Sequence, residues 1–213
     1  MQNAKSFQED PLWTAAVSAW VAQAGILNED VERVVLSAFG AVSRAAFLEL
    51  AAPGVVYKDI DAPIAPGVVL TRPSVLIRML GLINLRRRMQ VLELGVGSGY
   101  LCAVMAAAGA SVFGVESNTQ LVQAARKHLD GLGYHGVVVR RWDGKKGWLE
   151  AAPFDAIVVS YPVEDEAELP LNQLGDQGCL VAPLRAGGVF RLTLWKRSGE
   201  AMRRIVFEEV AFQ

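Results

Sequence analysis

From residue 90 onward, short apolar runs alternate with stretches that have the spacing of helices. The runs lie at 90–94, 111–115, 136–140, 155–160 and 178–182, with helices predicted at 98–108 and 118–132. Strands that are apolar along their whole length are buried on both faces, as in a parallel sheet covered by helices on both sides. Two last runs, at 189–196 and 203–210, flank the turn-like segment KRSGEAM and predict an antiparallel hairpin. The predicted fold class is therefore α/β, a doubly wound and mostly parallel sheet with an antiparallel C-terminal strand.

The residues before this sheet predict helices and a loop that pack on it. A helix is predicted to start at Asp10–Pro11, a second at Asn28 and a third at about Pro73, with a proline-rich loop over 51–72. Helical spacing assigns these apolar residues of the first helix to the core: Trp13, Val17, Trp20, Val21 and Ala24. We divide the chain into an N-terminal helical cap and substrate loop segment, 1–89, and an α/β core, 90–213, within a single compact domain.

Composition narrows the classes of protein that the chain can belong to. An apolar content of 52% and a formal net charge of −1 describe a globular protein without the basic surface that nucleic acid requires. The cluster Arg86–Arg88 is interpreted as a solvated loop or helix end. No run reaches the ~18 apolar residues of a membrane span, and the N-terminus MQNAKSFQED lacks the pattern of a signal peptide. Cys102 and Cys179 lie in apolar segments, which indicates reduced packing residues in a cytoplasmic protein.

The segment VLELGVGSGY, residues 91–100, has the features of a ligand-binding turn between a strand and a helix. Glycines let the backbone turn tightly and approach a ligand, and the N–H groups of the following helix point at that ligand. The spacing is G-x-G-x-G, whereas a dinucleotide loop requires G-x-G-x-x-G, so a nicotinamide-dependent oxidoreductase is disfavoured. The segment resembles the loop of class I methyltransferases, whose S-adenosylmethionine carries an ammonium and a sulfonium that suit an acid-edged pocket. We expect cofactor contacts from Glu93, Gly95, Val96, Gly97, Ser98, Gly99 and Tyr100.

Polar residues also follow the next three strands, where a parallel sheet places its ligands. Glu116 ends the second strand and can accept hydrogen bonds from both ribose hydroxyls, with Ser117 beside it. Asp143 follows the third strand and can accept from an adenine amino group, while Gly144 permits a close turn. Ser160 ends the fourth strand, where we place it beneath the sulfonium. Four such features at successive strand ends predict a site for S-adenosylmethionine.

Taken together, these motifs resemble the protein-L-isoaspartate O-methyltransferase family from about residue 25 onward. GILNEDVERVVLSAFGAVSRAAF is similar to that family's entry helix and its Val-Pro-Arg-x-x-Phe signature, with Ser43 in place of proline. VYKDIDAPI resembles an Ala-Tyr-x-Asp segment of the family. VLELGVGSGY, VFGVES, WDGKKGW and PFDAIVVS follow its cofactor motifs in order.

The resemblance implies a catalytic hydroxyl at Thr71. The family's loop reads Gln-Thr-Ile-Ser-x-Pro, and its serine acts at the junction of cofactor and acceptor. This chain has VVLTRP, in which Thr71 keeps a hydroxyl while Val68 and Val69 replace two polar residues. The alternative for Thr71 is an N-cap of the helix that begins at Pro73, and both roles could coexist.

A second departure follows the fourth strand, where the family has an Ala-rich segment that ends in proline. This chain has SYPVEDEAELP, in which Tyr161 and Pro162 are bulkier than alanine. The segment adds four acids: Glu164, Asp165, Glu166 and Glu168. Acids at the entrance would repel an isoaspartyl carboxylate; alternatively, they begin a solvated helix and point away from the entrance.

The resemblance implies an S-adenosylmethionine-dependent O-methyltransferase that methylates L-isoaspartyl carboxylates in damaged proteins, a protein-repair activity. The acceptor is expected to be an isoaspartyl peptide or protein, or a small carboxylate, with no nucleic acid or membrane partner. A monomer or homodimer is expected. The alternative is a divergent paralogue with another acceptor, or a non-catalytic regulatory protein that binds S-adenosylmethionine.

The chemistry expected needs no metal and no general base. A carboxylate is ionised at pH 7, so alignment of the acceptor and exclusion of water are the main requirements. His128 lies on the apolar side of a predicted helix and is interpreted as a packing residue, and His135 as a turn residue. The sequence has no cluster of His, Cys and carboxylate residues typical of a metal site.

Overall fold

The structure is a computed structural model that describes residues 10–52 and 54–211. The prediction about a signal peptide falls mainly on residues 1–9 and lies outside the described residues. The helices are α1 (Pro11–Ala24), α2 (Glu29–Ala41), α3 (Pro73–Leu82), α4 (Tyr100–Ala107) and α5 (Thr119–Gly131). The strands are β1 (Ala62–Ala65), β2 (Val68–Leu70), β3 (Gln90–Leu94), β4 (Ser111–Glu116), β5 (Val138–Arg141), β6 (Phe154–Val159), β7 (Leu174–Ala186), β8 (Val189–Ser198) and β9 (Ala201–Val210).

The main sheet has the order β5-β4-β3-β6-β7-β8-β9, and β1 and β2 form a separate hairpin. Strands β3 to β7 pair in parallel, while β8 and β9 pair antiparallel at the edge. The predicted fold class is therefore confirmed. Strand β3 pairs on both sides, with β4 and β6, and its last four residues are buried. Its carboxyl end consequently lies between the ends of its two neighbours.

Strand β7 extends well beyond the predicted range of 178–182. Its first part, from Leu174 to Val181, pairs with β6, and the part from Cys179 to Ala186 pairs with β8. The two partners overlap only over residues 179–181, and the register with β6 shifts between Leu174 and Cys179. The segment between β6 and β7 contains two short 3-10 turns, Glu166–Glu168 and Leu171–Gln173, where the sequence suggested a helix.

The first helix contributes two tryptophans to the core, as predicted. Asp10 caps α1 by accepting from the backbone N–H of Leu12, and Gly25 ends the helix at φ 61°. Trp13 is fully buried and packs edge to face on Trp20, with 5.5 Å between ring centroids. The indole N–H of Trp13 donates to the carbonyl of Gly40 in α2 at 3.1 Å, which joins the two helices.

A buried arginine organises the loop before α3. Arg44 is completely buried and donates to the carbonyl groups of Lys58 and Ile60, at 2.9 and 3.2 Å. Asp59 and Asp61 in the same loop accept from the backbone N–H groups at the start of α3. Since the first N–H groups of a helix have no partner within it, these carboxylates complete the helix from outside.

Three further predictions can be compared with the described residues. Arg86–Arg88 is exposed, as predicted. Cys102 and Cys179 are free and buried, as expected of packing residues. Within residues 10–52 and 54–211, no helix has both the length and the apolar content needed to cross a membrane.

The contribution of α1 to stability can be measured by removing one indole. We expect Trp13→Ala to lower the free energy of unfolding by about 3–5 kcal/mol, because it empties a buried site and leaves the Gly40 carbonyl unpaired. Its neighbour Leu12 is 66% exposed, so Leu12→Ala should change stability by no more than about 0.5 kcal/mol. Urea unfolding of both variants is the measurement, and equal losses would contradict a core role for Trp13.

Candidate active site

A pocket of about 460 Å³ lies at the carboxyl ends of β3 to β6. Its volume falls within the range of ~300–1,000 Å³ that is usual for small-molecule sites. It is lined by Val68, Val69, Gly95, Gly97, Val115, Glu116, Ser117, Asn118, Leu121, Asp143, Gly144, Lys145, Ser160 and Tyr161. Seven of the predicted site residues are therefore brought together: Gly95, Gly97, Glu116, Ser117, Asp143, Gly144 and Ser160.

The glycine loop adopts a backbone that other residues rarely take. Gly95, Gly97 and Gly99 have φ values of 84°, 55° and 91°, all in the left-handed region. Gly99 is the N-cap of α4, and no side chain caps this helix. Its start at Tyr100 is two residues later than predicted. The N-terminus of α4 thus follows the loop directly, as the strand–loop–helix motif requires.

Glu116 joins the end of β4 to the glycine loop. Its Oε2 accepts from the backbone N–H of Gly97 at 3.0 Å, and its Oε1 accepts from the N–H of Asn118 at 2.9 Å. Asn118 in turn caps α5 through its side chain. The carboxylate is therefore fixed in the wall of the pocket by two backbone donors.

Asp143 and Gly144 form the part of the wall that follows β5. The Asp143 carboxylate accepts from the N–H of Lys145 at 3.0 Å and so starts a short 3-10 turn. The Lys145 ammonium donates to Glu168 at 2.9 Å. Asp143 and Glu116 are the carboxylates among the pocket-lining residues.

The prediction for Glu93 needs a correction. Glu93 is only 1% exposed and lies behind the wall of the pocket rather than at its entrance. Its Oε2 accepts from the thiol of Cys102 at 2.9 Å, and its Oε1 accepts from the hydroxyl of Ser160 at 3.0 Å. Burial raises the pKa of Glu93 to about 8, so this carboxyl is mainly protonated at neutral pH. The negative charge facing the pocket therefore comes from Glu116 and Asp143.

Four other predicted cofactor contacts also lie outside the pocket wall. Val96 is buried against the position of Gly114, and a Cβ on Gly99 would meet Ala125. Tyr100 is buried in the core, edge to face with two phenylalanines. Ser98 is 2% exposed and borders a separate cavity beside α5. These residues shape the loop by packing. Sequence spacing alone does not distinguish such packing from contact with a ligand.

A second pocket of about 100 Å³ adjoins the first. It is lined by Asp61, Gly67, Val68, Val69, Thr71, Ser160, Tyr161, Pro162 and Ala211. The two pockets share Val68, Val69, Ser160 and Tyr161, so these residues separate one from the other. We call the larger one the strand-end pocket and the smaller one the Thr71 pocket.

The structure rejects the N-cap alternative for Thr71. Arg72 is the N-cap residue of α3, and no side chain of its own caps the helix. Instead Asp61 accepts from the N–H of Arg72, and Asp59 from that of Ser74, both at 2.8 Å. The Thr71 hydroxyl bonds to no other described residue, and Thr71 lines the Thr71 pocket.

The acidic segment after β6 is neutralised by basic partners. Glu164 pairs with Arg185, Glu166 with Arg204, and Glu168 with Lys145. Asp165 caps the 3-10 turn that follows it. None of these acids lines either pocket within the described residues. The acids therefore point away, as in the second of the two interpretations, although they form a 3-10 turn instead of a helix.

Sequence reasoning missed several pocket-lining residues. Val68, Val69 and Tyr161 stood out only as departures from a family pattern, yet they border both pockets. Asn118, Leu121 and Lys145 also line the strand-end pocket. Their nearness to Glu116 and Asp143 in the sequence was the available signal.

His128 is a packing residue, as predicted. Its Nδ1 lies 2.9 Å from the Ser98 carbonyl, and its ring packs edge to face on Phe47. Its Nε2 lies 3.3 Å from Glu49. His135 lies in an exposed turn, 3.5 Å from Asp130. Neither histidine lines the strand-end pocket or the Thr71 pocket.

Comparison with known proteins gives this arrangement a class and a family. The model of the family "Protein-L-isoaspartate(D-aspartate) O-methyltransferase (PCMT)" matches residues 20–212. A protein-L-isoaspartate O-methyltransferase from Methylorubrum populi is 38% identical over 182 residues, which are 85% of either chain. Another from Pelodictyon phaeoclathratiforme is 35% identical over 88% of this chain and 84% of that relative.

Solved structures share the fold described above. A protein-L-isoaspartate O-methyltransferase with 26% identity has a TM-score of 0.78 and covers 86% of this chain and 61% of its own. A Plasmodium falciparum protein solved in complex with S-adenosyl-L-homocysteine has a TM-score of 0.77 and covers 94% of this chain and 96% of its own. Because the two sequences are only 21% identical, this match supports the fold of the chain and no more.

The fold and the glycine loop define a class I methyltransferase, an enzyme that uses S-adenosylmethionine. Within that class, the chain belongs to the protein-L-isoaspartate(D-aspartate) O-methyltransferase family.

The raised pKa of Glu93 predicts how stability depends on pH. The pKa rises from an ordinary value of 4.5 to about 8 on folding. Between these values the folded chain keeps a proton that the unfolded chain releases, so stability falls as the pH rises through this interval and then levels off. From pH 5.5 to 8.5 we expect the wild type to lose up to roughly 3 kcal/mol more than Glu93→Gln.

Urea unfolding at both pH values measures this difference directly. Glu150→Gln, at an exposed carboxylate that pairs with Arg140, should keep the pH dependence of the wild type. Equal pH dependence in the wild type and Glu93→Gln would contradict a protonated Glu93.

Proposed function

We propose that the strand-end pocket holds S-adenosylmethionine and that the Thr71 pocket receives the carboxylate of an isoaspartyl residue. The arrangement of the two pockets supports this proposal. They meet at Ser160, Val68 and Val69, so a donor in one and an acceptor in the other face a common boundary.

The side chains of the strand-end pocket suit this cofactor. Glycines at 95 and 97 leave the backbone open, and Glu116 offers carboxylate oxygens to ribose hydroxyls. Asp143 would accept from the adenine amino group, with Ser117 and Gly144 beside these acids. Two carboxylates in the wall favour a ligand with ammonium and sulfonium charges over an anionic dinucleotide.

When bound, S-adenosylmethionine would supply a sulfonium methyl group. Transfer of this methyl group to a carboxylate oxygen leaves a neutral thioether and requires no base. The acceptor carboxylate is already ionised at pH 7. The hydroxyl of Thr71 can donate to this carboxylate and orient it, while the hydroxyl of Ser160 donates to Glu93. Val68, Val69 and Tyr161 form an apolar boundary that excludes water.

The setting of the reaction is part of the same proposal. The acceptor is a peptide or protein with an isoaspartyl residue, and the pairing of Glu164, Glu166 and Glu168 with basic side chains supports the approach of this carboxylate. The protein acts as a monomer or homodimer. The two free, buried cysteines support a cytoplasmic location.

The assignment of Glu116 is tested by cofactor affinity. We expect Glu116→Ala to weaken binding of S-adenosylhomocysteine by about 2–3 kcal/mol, because charged hydrogen bonds are lost and the Gly97 N–H loses its acceptor. Calorimetric titration is the measurement, with Asp130→Ala on the exposed end of α5 as the control. Unchanged affinity in Glu116→Ala would place the ribose elsewhere.

The activity and the role of Thr71 are tested by methyl transfer to a synthetic isoaspartyl peptide. We expect Thr71→Val to lower kcat/KM about 10- to 100-fold, since one hydrogen bond to a charged group is worth about 1.5–3 kcal/mol. Thr71→Ser should retain most of the activity, and both variants should bind S-adenosylhomocysteine as the wild type does.

Two results would contradict this proposal. Full activity of Thr71→Val would remove the hydroxyl from the mechanism. Binding of S-adenosylhomocysteine by the wild type without transfer to any isoaspartyl peptide would overturn the acceptor.

A further inference from the structure

Glu93 is a buried carboxyl group that the proposed methyl transfer does not use. It lies near the end of β3 from which the glycine loop starts. Its neighbours across the sheet are Gly114 in β4 and Val158 in β6, and neither has a polar side chain. The carboxyl group therefore has few partners, although it is next to the strand-end pocket.

Within the described residues, the groups that act on this carboxyl are Cys102, Ser160 and Glu116, and none of them is a cation. Burial is the main reason that the pKa of Glu93 is raised to about 8, and the Glu116 carboxylate acts in the same direction. Cys102, from α4, lies 2.9 Å from Oε2 and is itself fully buried, which raises the pKa of its thiol well above the ordinary value. The protein thus places an acid behind the pocket without a counter-charge.

Ser160 connects Glu93 with the boundary between the two pockets. Its hydroxyl donates to Oε1 of Glu93 at 3.0 Å, and the residue lines both the strand-end pocket and the Thr71 pocket. In the proposed function a methyl group crosses this boundary, so the sulfonium that carries it lies beside Ser160. One hydroxyl group then separates the sulfonium from the Glu93 carboxyl.

The sulfonium charge distinguishes the donor from its product. S-adenosylmethionine has this charge, whereas S-adenosylhomocysteine has an uncharged thioether in its place. A positive charge at close range lowers the pKa of a carboxyl by about 1–3. From a value of about 8, the lower end of that range already takes Glu93 at pH 7 from about 10% to about 50% ionised.

We propose that Glu93 matches its charge to the cofactor: it gives up a proton when S-adenosylmethionine binds and regains one when the methyl group has been transferred. This inference rests on the proposed function, because it places the sulfonium beside Ser160. The proton passes from the carboxyl through the Ser160 hydroxyl to solvent in the pocket. After transfer the sulfonium charge is gone, and Glu93 takes a proton back from solvent. Because it acts through Ser160, Glu93 is a positioning residue, and it favours the charged donor over the uncharged product.

The test counts protons by calorimetric titration at pH 7 in buffers with different heats of ionisation. S-adenosylmethionine and S-adenosylhomocysteine are each titrated, without an acceptor, into the wild type and into Glu93→Gln, which keeps the shape of the side chain and cannot ionise. The variant also cancels protons exchanged by the amino groups of the ligands. Beyond the difference seen in Glu93→Gln, we expect the wild type to release about 0.4–0.8 proton more with S-adenosylmethionine than with S-adenosylhomocysteine.

The affinities provide a pH profile with a defined sign. Binding of S-adenosylmethionine at low pH requires Glu93 to lose its proton, whereas at high pH the carboxyl is already ionised. From pH 6 to pH 9 the preference for S-adenosylmethionine over S-adenosylhomocysteine should therefore rise about tenfold or more in the wild type, relative to Glu93→Gln. Glu150→Gln, at the exposed carboxylate that pairs with Arg140, should behave as the wild type does.

Infrared difference spectra of the wild type provide a second measurement that does not depend on the folding of a variant. S-adenosylmethionine should remove the C=O band of a protonated carboxyl group, and S-adenosylhomocysteine should leave it. Equal proton release in the wild type and Glu93→Gln, or a band that persists, overturns the inference. Methyl transfer to an isoaspartyl peptide would then still support the proposed function. A wild type that binds neither ligand overturns both.

Discussion

Backbone hydrogen bonds that continue past the last residues of the strands hold the site together. The N–H of Gly95 donates to the Val115 carbonyl and that of Ser160 to the Leu94 carbonyl, both at 2.8 Å. The N–H of Trp142 donates to the carbonyl of Glu116 at 3.0 Å. Because each loop is tied to a neighbouring strand, the four strand ends act as one rigid edge. The polar side chains at these ends are thereby held in fixed positions relative to one another.

The loop before α3, which borders the Thr71 pocket, is held in place by the buried Arg44. Among residues 10–52 and 54–211, no charged group accepts a hydrogen bond from Arg44, which instead donates to two carbonyl groups of the loop before α3. That loop presents Asp59 and Asp61 to the start of α3, which frees Thr71 from a capping role. Breaking these hydrogen bonds would leave a buried guanidinium without partners, which is costly in free energy. The two bonds therefore hold the loop firmly in place.

The sequence predicted what depends on local pattern. Apolar runs located the strands, and spacing located Gly95, Gly97, Glu116 and Asp143 at the pocket. Glu93 was misplaced because its spacing suits a ligand contact equally well, whereas its burial depends on Cys102 and Ser160, far away in sequence or on another element. Likewise, the carboxylates that cap α3 and the bases that pair with the acidic segment come from distant parts of the chain. Contacts of that kind have no periodicity that a single sequence could reveal.

The buried Trp13 shows that the folded core includes residues that precede the family match. The family match starts at residue 20, in the middle of α1. Trp13 lies before that point, yet it is completely buried and bonded to Gly40. A boundary placed at residue 20, where the family match starts, would therefore cut through the hydrophobic core. A fragment that began at residue 20 would lack one of the largest buried side chains of the fold.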